Sequence, residues 1–270
     1  MELGQSLAIL TRPLGRSSAL KAELLRRGWS VFECPALEIQ AVVADAAMVP
    51  RPEAFDLVVF VSRAAVEGYR RQLAGNEALS WPTQTATACV GAATAEAIRQ
   101  VFGPSVSVFY PNSEDTQDSE ALLPLLLEST QPLKKVLIVR GQEGREWLRQ
   151  GLLARGSEVA VWQAYSRQSA QWSDALGAQL LLCKQNNVKA IWLLTSTEGV
   201  QALHKKLASL DLLDWFSQGQ FVLTHARIGT ALAALISQPV SADNCLVAHP
   251  QDESILACFE RLRSGEGLNG

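Results

Sequence analysis

The sequence predicts an α/β protein whose β-sheets are parallel and covered by helices on both faces. Three observations predict this class. Short apolar runs of strand length recur along the 270-residue chain, each is followed by apolar residues at helical spacing, and one strand–turn–helix pattern occurs twice. The length suits one large domain or two modest ones, and we expect two.

Eight apolar runs are predicted to be buried strands, because apolar residues follow one another in them without alternation. They cover residues 7–10, 57–61, 88–90, 106–109, 136–139, 190–194, 221–223 and 245–247. Each run is followed by apolar residues at helical spacing, such as Leu20, Leu24 and Leu25 after the first run. The segments LEIQAVV and VAVWQAY, which begin at Leu37 and Val159, carry alternating or β-branched residues and are predicted to be paired extended strands.

An internal repeat supports this class. Residues 8–31 align without a gap on residues 136–159, at a shift of 128, with seven identities. The identical pairs are Arg12/Arg140, Leu20/Leu148, Leu24/Leu152, Leu25/Leu153, Arg27/Arg155, Gly28/Gly156 and Val31/Val159. Each copy has a strand, a turn with an arginine, a helix and then a glycine, Gly28 or Gly156, where a residue that tolerates positive φ is favoured.

The order of the repeated units predicts a lobe that is split in sequence. The second half of the chain lacks its own copy of the arginine-turn unit, and the unassigned copy lies at the N-terminus. We therefore expect one α/β lobe from residues 1–36 and 170–270, a second from 48–158, and connecting strands at 37–47 and 159–169. The modest number of identities leaves one alternative open, a single large sheet with an accidental repeat.

Composition and charge exclude several classes of protein. The chain has 24 basic and 27 acidic side chains, a net charge of −3, and 48% apolar residues. It is too apolar for a disordered chain, too poor in cysteine for a disulfide scaffold, and lacks the basic field used by proteins that coat nucleic acid or anionic membranes. No apolar run approaches the ~18 residues of a membrane span. The N-terminal residues lack a signal pattern. We therefore expect a cytoplasmic protein with no membrane or nucleic-acid partner.

Motifs for common cofactors and catalytic groups are missing from the sequence. It contains no GxGxxG, GxxxxGK[ST], GxSxG or HExxH, which argues against dinucleotide, P-loop, serine-hydrolase and zinc-protease sites. The five cysteines are far apart and favour buried thiols over a metal site. Among the histidines, His225 and His249 follow predicted strands, where a turn or packing role is more common than that of a general base.

Hydroxyls and arginines, in contrast, recur where predicted strands end. This edge of a parallel sheet holds ligands, because the following helices present unpaired N–H groups to anions. The arginines that would form a local positive patch are Arg12, Arg16, Arg63, Arg140, Arg145 and Arg227. Taken singly, each Ser or Thr could be a helix N-cap and several of the arginines could be solvated or paired with acids. Their repetition at nearly every strand end predicts an anion-binding cleft between the lobes.

Eight segments between Leu10 and Ile228 occur in a fixed order, within a resemblance that runs over about residues 7–256. They are LTRP, VFVSRAAV, VGAATAEAI, YPN with a following acidic helix, VLIVRGQEGREWL, AYSR, LTSTEGV and VLTHARI. Together they resemble the uroporphyrinogen-III synthase family. The resemblance implies two flavodoxin-like lobes, the first split around the second, joined by a two-stranded β-ladder. It also implies an enzyme of heme and siroheme biosynthesis that cyclises hydroxymethylbilane with loss of water and inversion of the terminal D ring. The product is uroporphyrinogen III, and no metal or organic cofactor is expected.

The resemblance further implies site residues. Tyr165 matches a tyrosine that is favoured to assist departure of hydroxide; its alternative role is that of an interlobe packing aromatic whose hydroxyl is tied to the backbone. Ser62, Thr94 and Ser196 match positions that contact substrate carboxylates, largely through the main chain. The other expected substrate-binding residues are Arg12, Arg63, Arg140, Thr197 and Arg227.

The turn at Arg227 and Ile228 departs from some relatives, which have threonines there, so a side-chain role of this turn stays open.

As partners we expect the anionic linear tetrapyrrole and a transient contact with the preceding pathway enzyme; we expect a monomer. The competing class is a non-catalytic bilobed module that binds an anionic ligand. The product separates the two, because only an enzyme changes the isomer composition of the tetrapyrrole. A nucleic-acid enzyme is disfavoured by the charge balance.

Overall fold

The chain forms two compact units. The computed structural model describes residues 6–73, 81–111, 119–128, 133–142, 146–236, 240–241 and 243–265. The first unit is Met1–Glu38 with Gln168–Gly270, and the second is Ile39–Arg167. Arg145, one of the expected arginines, and residues 112–118 of the acidic segment lie outside the described ranges. Within those ranges, no helix has the length and apolar character needed to cross a membrane.

Strands and helices alternate along most of the chain. In order from the N-terminus, they are β1 (Leu7–Leu10), α1 (Ser18–Arg26), β2 (Ser30–Glu33), β3 (Leu37–Ala41), β4 (Leu57–Phe60), α2 (Arg63–Gln72), β5 (Ala86–Cys89), α3 (Ala92–Phe102), β6 (Val108–Phe109), α4 (Ser119–Leu127), β7 (Lys135–Gly141), α5 (Trp147–Ala154) and β8 (Glu158–Ser169). They continue with α6 (Asp174–Gln185), β9 (Ala190–Leu194), α7 (Thr197–Ser209), α8 (Leu213–Ser217), β10 (Gln220–Leu223), α9 (Ala226–Ala233), β11 (Cys245–Val247) and α10 (Asp252–Ser264).

The sheet of the first unit is parallel and buried on both faces. Its strand order is β11-β10-β9-β1-β2, and every neighbouring pair runs parallel. Leu7 and Ile9 of β1 pack with Trp192 of β9 in one apolar cluster, while Ala8 and Leu10 belong to another. Because successive strand residues point to opposite faces, the two clusters lie on the two faces of the sheet. This double burial explains the continuous apolar runs of β1 and β9.

The sheet of the second unit is built in the same way. Its order is β3-β8-β7-β4-β5-β6, and the neighbouring pairs from β8 to β6 are parallel. Val58 and Phe60 of β4 belong to one apolar cluster, and Leu57 and Val59 belong to another. The central strands are therefore buried on both faces, which confirms the predicted α/β class with parallel sheets.

The predicted strands are present, with some shifted ends. The runs at 7–10, 190–194 and 245–247 coincide with β1, β9 and β11, whereas only the last two residues of the run at 106–109 form β6. Strand β2 was not predicted from the sequence. Only Phe32 of its four residues is buried, so β2 lacks the continuous apolar run by which the other strands were recognised.

The two glycines of the repeated unit adopt the predicted backbone conformation. Gly28 and Gly156 follow α1 and α5 with φ of 82° and 83°. In both turns the N–H of the next residue donates to the carbonyl five residues back, over 3.1 and 3.2 Å. This pattern ends a helix through a left-handed residue, for which glycine has no steric penalty.

Candidate functional site

Polar residues expected at strand ends lie on the carboxyl edge of each sheet. In the second unit, β4 leads into α2 through Ser62, while β7 ends at Gly141, which pairs with Tyr165 of β8. The strand order β8-β7-β4 makes these three positions neighbours along one edge. We call Tyr165 and the three residues that contact its ring or hydroxyl, Ser62, Gly141 and Arg167, the Tyr165 cluster.

A β-bulge sets the direction of Tyr165. Along β7 and β8, Arg140 pairs with Gln163, but the next residue, Gly141, pairs with Tyr165, so Ala164 is the extra residue. Consecutive strand residues normally point to opposite faces. Ala164 and Tyr165 nevertheless enter the same apolar cluster. The bulge therefore turns Tyr165 towards the face that α2 covers.

The Tyr165 hydroxyl meets two polar side chains. The Ser62 hydroxyl donates to Tyr165 Oη over 3.2 Å, and Arg167 Nη2 donates to the same oxygen over 3.3 Å. The Arg167 guanidinium carbon also lies 5.6 Å from the centroid of the Tyr165 ring, within cation–π range. Tyr165 is only 3% exposed, whereas Arg167 is an exposed residue. Arg167 is thus the solvent-facing member of a largely buried cluster.

Gly141 leaves room for the ring of Tyr165. A Cβ atom at this position would lie 2.9 Å from Cε2, 3.0 Å from Cζ and 3.3 Å from the hydroxyl oxygen of Tyr165. The backbone joins the two residues as well, because the Gln142 N–H donates to the Tyr165 carbonyl over 3.1 Å. A side chain at position 141 would therefore displace the phenol end of the ring.

Helix α2 holds β8 at the bulge. A Cβ atom at Gly68 would lie 2.3 Å from the Ala164 carbonyl oxygen, so the absence of a side chain allows this approach. One turn further, the buried Gln72 donates through Nε2 to the Gln163 carbonyl over 3.1 Å and accepts from Trp162 Nε1 over 2.8 Å. The helix thus contacts three consecutive residues of β8 just before Tyr165.

Ser62 joins the start of α2 to the tyrosine. Its Oγ accepts from the Ala65 N–H over 3.2 Å, which caps the helix, and its hydroxyl hydrogen is directed to Tyr165. The N-cap role that the sequence allowed for this serine is confirmed, and the contact with Tyr165 is additional.

Two arginines and a threonine lie at the same edge. Arg63 is half-buried, and its Nε is covered without a hydrogen-bond partner among the described residues. Arg140 Nη2 lies 2.7 Å from Glu146 Oε1, and this hydrogen bond is the main cause that lowers the pKa of Glu146. Thr94 is buried near the start of α3, and its N–H donates to the Gly91 carbonyl over 3.0 Å. Arg63 Nε therefore has no partner among the described residues, and Arg140 is paired with an acid through Nη2.

In the first unit, the Arg12 guanidinium is held at the start of α10. Arg12 Nη1 lies 2.6 Å from Asp252 Oδ1, and Nη2 donates to the Pro250 carbonyl over 3.0 Å. The preceding residue, Thr11, donates through its hydroxyl to the Leu193 carbonyl of β9. These contacts fasten the turn after β1 to its neighbours in the same unit.

Side chains cap two more helices at this edge. Ser196 Oγ accepts from the Gly199 N–H over 3.0 Å at the N-cap of α7, and Thr197 is the first residue of that helix. His225 Nδ1 accepts from the Arg227 N–H over 3.1 Å at the N-cap of α9. His225 therefore has the turn role favoured for it from the sequence, and the Arg227 side chain is exposed.

The cysteines are not arranged for chemistry. All five are free thiols, and four of them are buried. Burial raises the pKa of Cys89 and of Cys245 to about 11, so both stay protonated at neutral pH and are weak nucleophiles. Across the described ranges, no three His, Cys, Asp or Glu side chains come together in a group that could hold a metal ion.

Comparison with known proteins gives the family. A family model described as uroporphyrinogen-III synthase HemD matches residues 18–248. The chain belongs to the uroporphyrinogen-III synthase family. The uroporphyrinogen-III synthase of Salmonella typhimurium strain LT2 is 29% identical over 199 residues, which are 69% of this chain and 79% of that protein. The uroporphyrinogen-III synthase of Escherichia coli K12 is 27% identical over 240 residues, 87% of this chain and 94% of that protein.

A solved structure shares the uroporphyrinogen-III synthase fold. The uroporphyrinogen-III synthetase of Helicobacter pylori 26695 aligns with a TM-score of 0.58 at 15% identity. The alignment covers 96% of this chain and 100% of the Helicobacter pylori chain. The fold is therefore that of the family over nearly the entire chain.

The sequence analysis assigned no role to three residues that lie beside Tyr165 or beside the bulge before it: Arg167, Gly68 and Gly141. Arg167 lies two residues after Tyr165, a spacing that shares a face in a strand and could have revealed it. Gly68 is an isolated glycine inside a helical pattern, which signals a packing requirement. Gly141 has no comparable signal, because its role depends on the bulge that pairs it with Tyr165.

Proposed function

We propose that the chain cyclises hydroxymethylbilane with loss of water and inversion of the terminal D ring, giving uroporphyrinogen III. Membership of the uroporphyrinogen-III synthase family supports the reaction. The observation that carries a mechanism is a largely buried tyrosine, Tyr165, whose hydroxyl oxygen accepts from Ser62 and Arg167. Such a hydroxyl can supply a proton to the substrate.

Departure of the substrate hydroxyl is the first chemical step. Tyr165 gives its phenol proton to the oxygen of the hydroxymethyl group, the C–O bond breaks as the pyrrole nitrogen supplies its lone pair, and water leaves. The step produces an azafulvenium electrophile and a phenolate at Tyr165. Hydrogen-bond donors at the phenol oxygen stabilise the charge that develops there.

Inversion of the D ring depends on geometry. The electrophile must be attacked by the substituted carbon of ring D, which gives a spiro intermediate; attack by the free position of that ring would close the uninverted type I isomer. After rearrangement the macrocycle closes with loss of one proton, which balances the proton taken from Tyr165. The main task of the enzyme is therefore to hold the terminal rings in place.

We assign the binding of substrate carboxylates to residues at the carboxyl edges of the two sheets: Arg12, Ser62, Arg63, Thr94, Arg140, Ser196, Thr197 and Arg227. Helix N-termini and arginine side chains suit these anions. The covered Arg63 Nε and the exposed Arg227 support the assignment most directly, while Ile228 is buried and offers no side chain to a ligand. At Arg12 and Arg140, a carboxylate would compete with Asp252 and Glu146.

We also propose that the two units are repeated flavodoxin-like lobes. The strands matched by the repeat have the same order in both sheets, β2-β1-β9-β10-β11 and β8-β7-β4-β5-β6. Numbered from β1 and from β7, both are the 2-1-3-4-5 order of flavodoxin-like sheets, which supports the proposal. β3 and β8 carry the chain across the boundaries of the units and would form the connecting ladder.

Product analysis tests the proposed reaction. Hydroxymethylbilane is generated in situ, the protein is added, and the oxidised products are separated into type I and type III uroporphyrin. We expect mainly type III. Formation of type I alone, at the spontaneous rate, would overturn the proposal and favour a module that binds the tetrapyrrole without converting it.

A paired substitution tests the role of Tyr165. Tyr165→Phe removes the proton that assists departure of the hydroxyl, and we expect it to lower kcat by about 100-fold or more. Cys183→Ser serves as the control, because Cys183 is a buried packing residue of α6 in the other unit. Equal turnover by both folded variants would remove Tyr165 from the mechanism.

A further inference from the structure

The hydrogen bonds at Tyr165 leave its own hydrogen available. A phenol oxygen has two acceptor positions and one hydrogen. Arg167 can only donate, and the Ser62 hydroxyl also donates to this oxygen, so the two acceptor positions are filled. Both partners therefore act as donors, and no other hydrogen-bond partner of Tyr165 Oη is found within the described part of the chain. The phenol is therefore poised as a donor.

The two donors at Tyr165 differ in charge and in exposure. Ser62 is neutral and is fixed at the N-cap of α2. Arg167 carries a guanidinium cation, which contacts both the hydroxyl oxygen and the ring of Tyr165. A fixed positive charge beside the oxygen stabilises the phenolate more than it stabilises the neutral phenol. Arg167 is therefore suited to favour loss of the proton.

We propose that Arg167 is a positioning residue for Tyr165. It holds the hydroxyl with its hydrogen directed away from Ser62 and stabilises the phenolate that remains after the proton has moved to the departing oxygen. No bond to Arg167 is made or broken, and it does not itself exchange a proton. The inference rests on the proposed role of Tyr165 and extends it to a residue whose side chain has no assigned part in the reaction.

A double-mutant cycle tests this proposal in the full-length protein. Arg167→Met removes the charge and the donor but keeps a long side chain over the ring, and the exposed position lets the fold survive. We expect kcat to fall about tenfold, with KM changed less than about twofold. Arg167→Lys, which keeps a charged donor, should recover part of the lost kcat. In the Tyr165→Phe background, Arg167→Met should have almost no further effect on type III formation.

Fluorine NMR supplies a readout that does not depend on turnover. The chain has three tyrosines, so the protein labelled with 3-fluorotyrosine gives three signals, and Tyr165→Phe identifies the signal of Tyr165. Arg167→Met should shift that signal and leave those of Tyr69 and Tyr110 in place. Arg149→Met is the control, because Arg149 is a surface residue paired with Glu146 and should change no tyrosine signal.

The outcomes separate this proposal from the one on which it rests. A rise in KM with unchanged kcat would make Arg167 a binder of substrate carboxylate and overturn the positioning role. An equal loss of activity when Arg167→Met is made in the native sequence and in the Tyr165→Phe variant, or an unmoved fluorine signal, would overturn it too. Full activity of Tyr165→Phe alone would instead remove the catalytic role of the tyrosine, whatever Arg167 does.

Discussion

Gly68 and the carbonyl group of Ala164 are so close that a Cβ atom on the glycine would stand 2.3 Å from the carbonyl oxygen. The neighbour is backbone and lies in the bulge before Tyr165, so it cannot rotate away. We therefore expect Gly68→Ala to lower the free energy of unfolding by about 1–3 kcal/mol, measured by urea unfolding. It should lower kcat as well, because β8 must shift.

A second helical glycine is the control for this substitution. Gly177 lies inside α6, and the nearest atom to a Cβ there is 3.8 Å away. Since alanine fits and favours the helix, Gly177→Ala should raise the free energy of unfolding by about 0.5–1 kcal/mol. Effects of the same sign at both glycines would contradict the close packing of α2 on β8.

Gly141→Ala should change activity more than stability. The new methyl group meets the phenol end of Tyr165 at 2.9–3.3 Å, and the ring is a side chain that can turn aside. A displaced hydroxyl would no longer line up with the departing oxygen, and a shift of about 1 Å can cost 100-fold in rate. We expect kcat for type III product to fall at least tenfold. An unchanged kcat would show that the ring position is not critical.

Ser62→Ala should remove two interactions, the N-cap of α2 and the donor to Tyr165. Loss of the cap lowers the free energy of unfolding by about 1 kcal/mol. Ser173→Ala is a matched control, because Ser173 Oγ caps α6 by accepting from the Leu176 N–H over 3.2 Å and has no link to Tyr165. The two variants should unfold with similar losses, measured by thermal or urea unfolding, while only Ser62→Ala loses kcat. Equal turnover would leave Ser62 as a cap alone.

Acid should remove a stabilising contribution from Glu23. Hydrogen bonds from Arg26 and then Arg27 lower the pKa of this carboxyl from 4.5 to about 2. A carboxyl whose pKa is lowered by folding stabilises the native state above its unfolded pKa and loses that contribution as pH falls through the folded value. The stability difference between the native sequence and Glu23→Gln should therefore shrink between pH 4.5 and about 2.

The pH dependence of this difference can be checked by urea unfolding at a series of pH values. Salt should reduce the difference at pH 6, because these charges are exposed to solvent. A difference that is constant from pH 6 to 2 would rule out the ion pairs of Glu23 as its source.

The sequence predicted strands and caps well because these features are local. Continuous apolar runs predicted β1 and β9, and Gly28 and Gly156 predicted two helix ends. In each case the residues that give the prediction belong to the strand or to the helix end itself. The surroundings of Tyr165 were not predictable in this way. They depend on the extra residue Ala164, which breaks the two-residue period of β8, and on the approach of a distant helix.

For the arginines, too, the sequence predicted the local feature but not the tertiary contacts. Their positions at strand ends were visible in the sequence, but their partners were not. Arg12 is paired with Asp252, 240 residues away along the chain, and Arg140 with Glu146. Arg63 has a buried donor without a described partner. Which arginines keep a free donor is decided by tertiary contacts, and a sequence pattern does not contain them.

The central place of β1 in its sheet has a consequence for biosynthesis. β1 lies between β2 and β9, and Thr11 at its end bonds a carbonyl that is 182 residues away. Translation at 5–20 residues per second separates these partners by roughly 10–40 s. The continuous segment 39–167 can emerge and fold in that time. During this interval the apolar strand β1 can pair with β2 but not yet with β9, its neighbour on the other side. We therefore expect ribosome-associated chaperones to bind the nascent chain at its first strand until β9 has been synthesised.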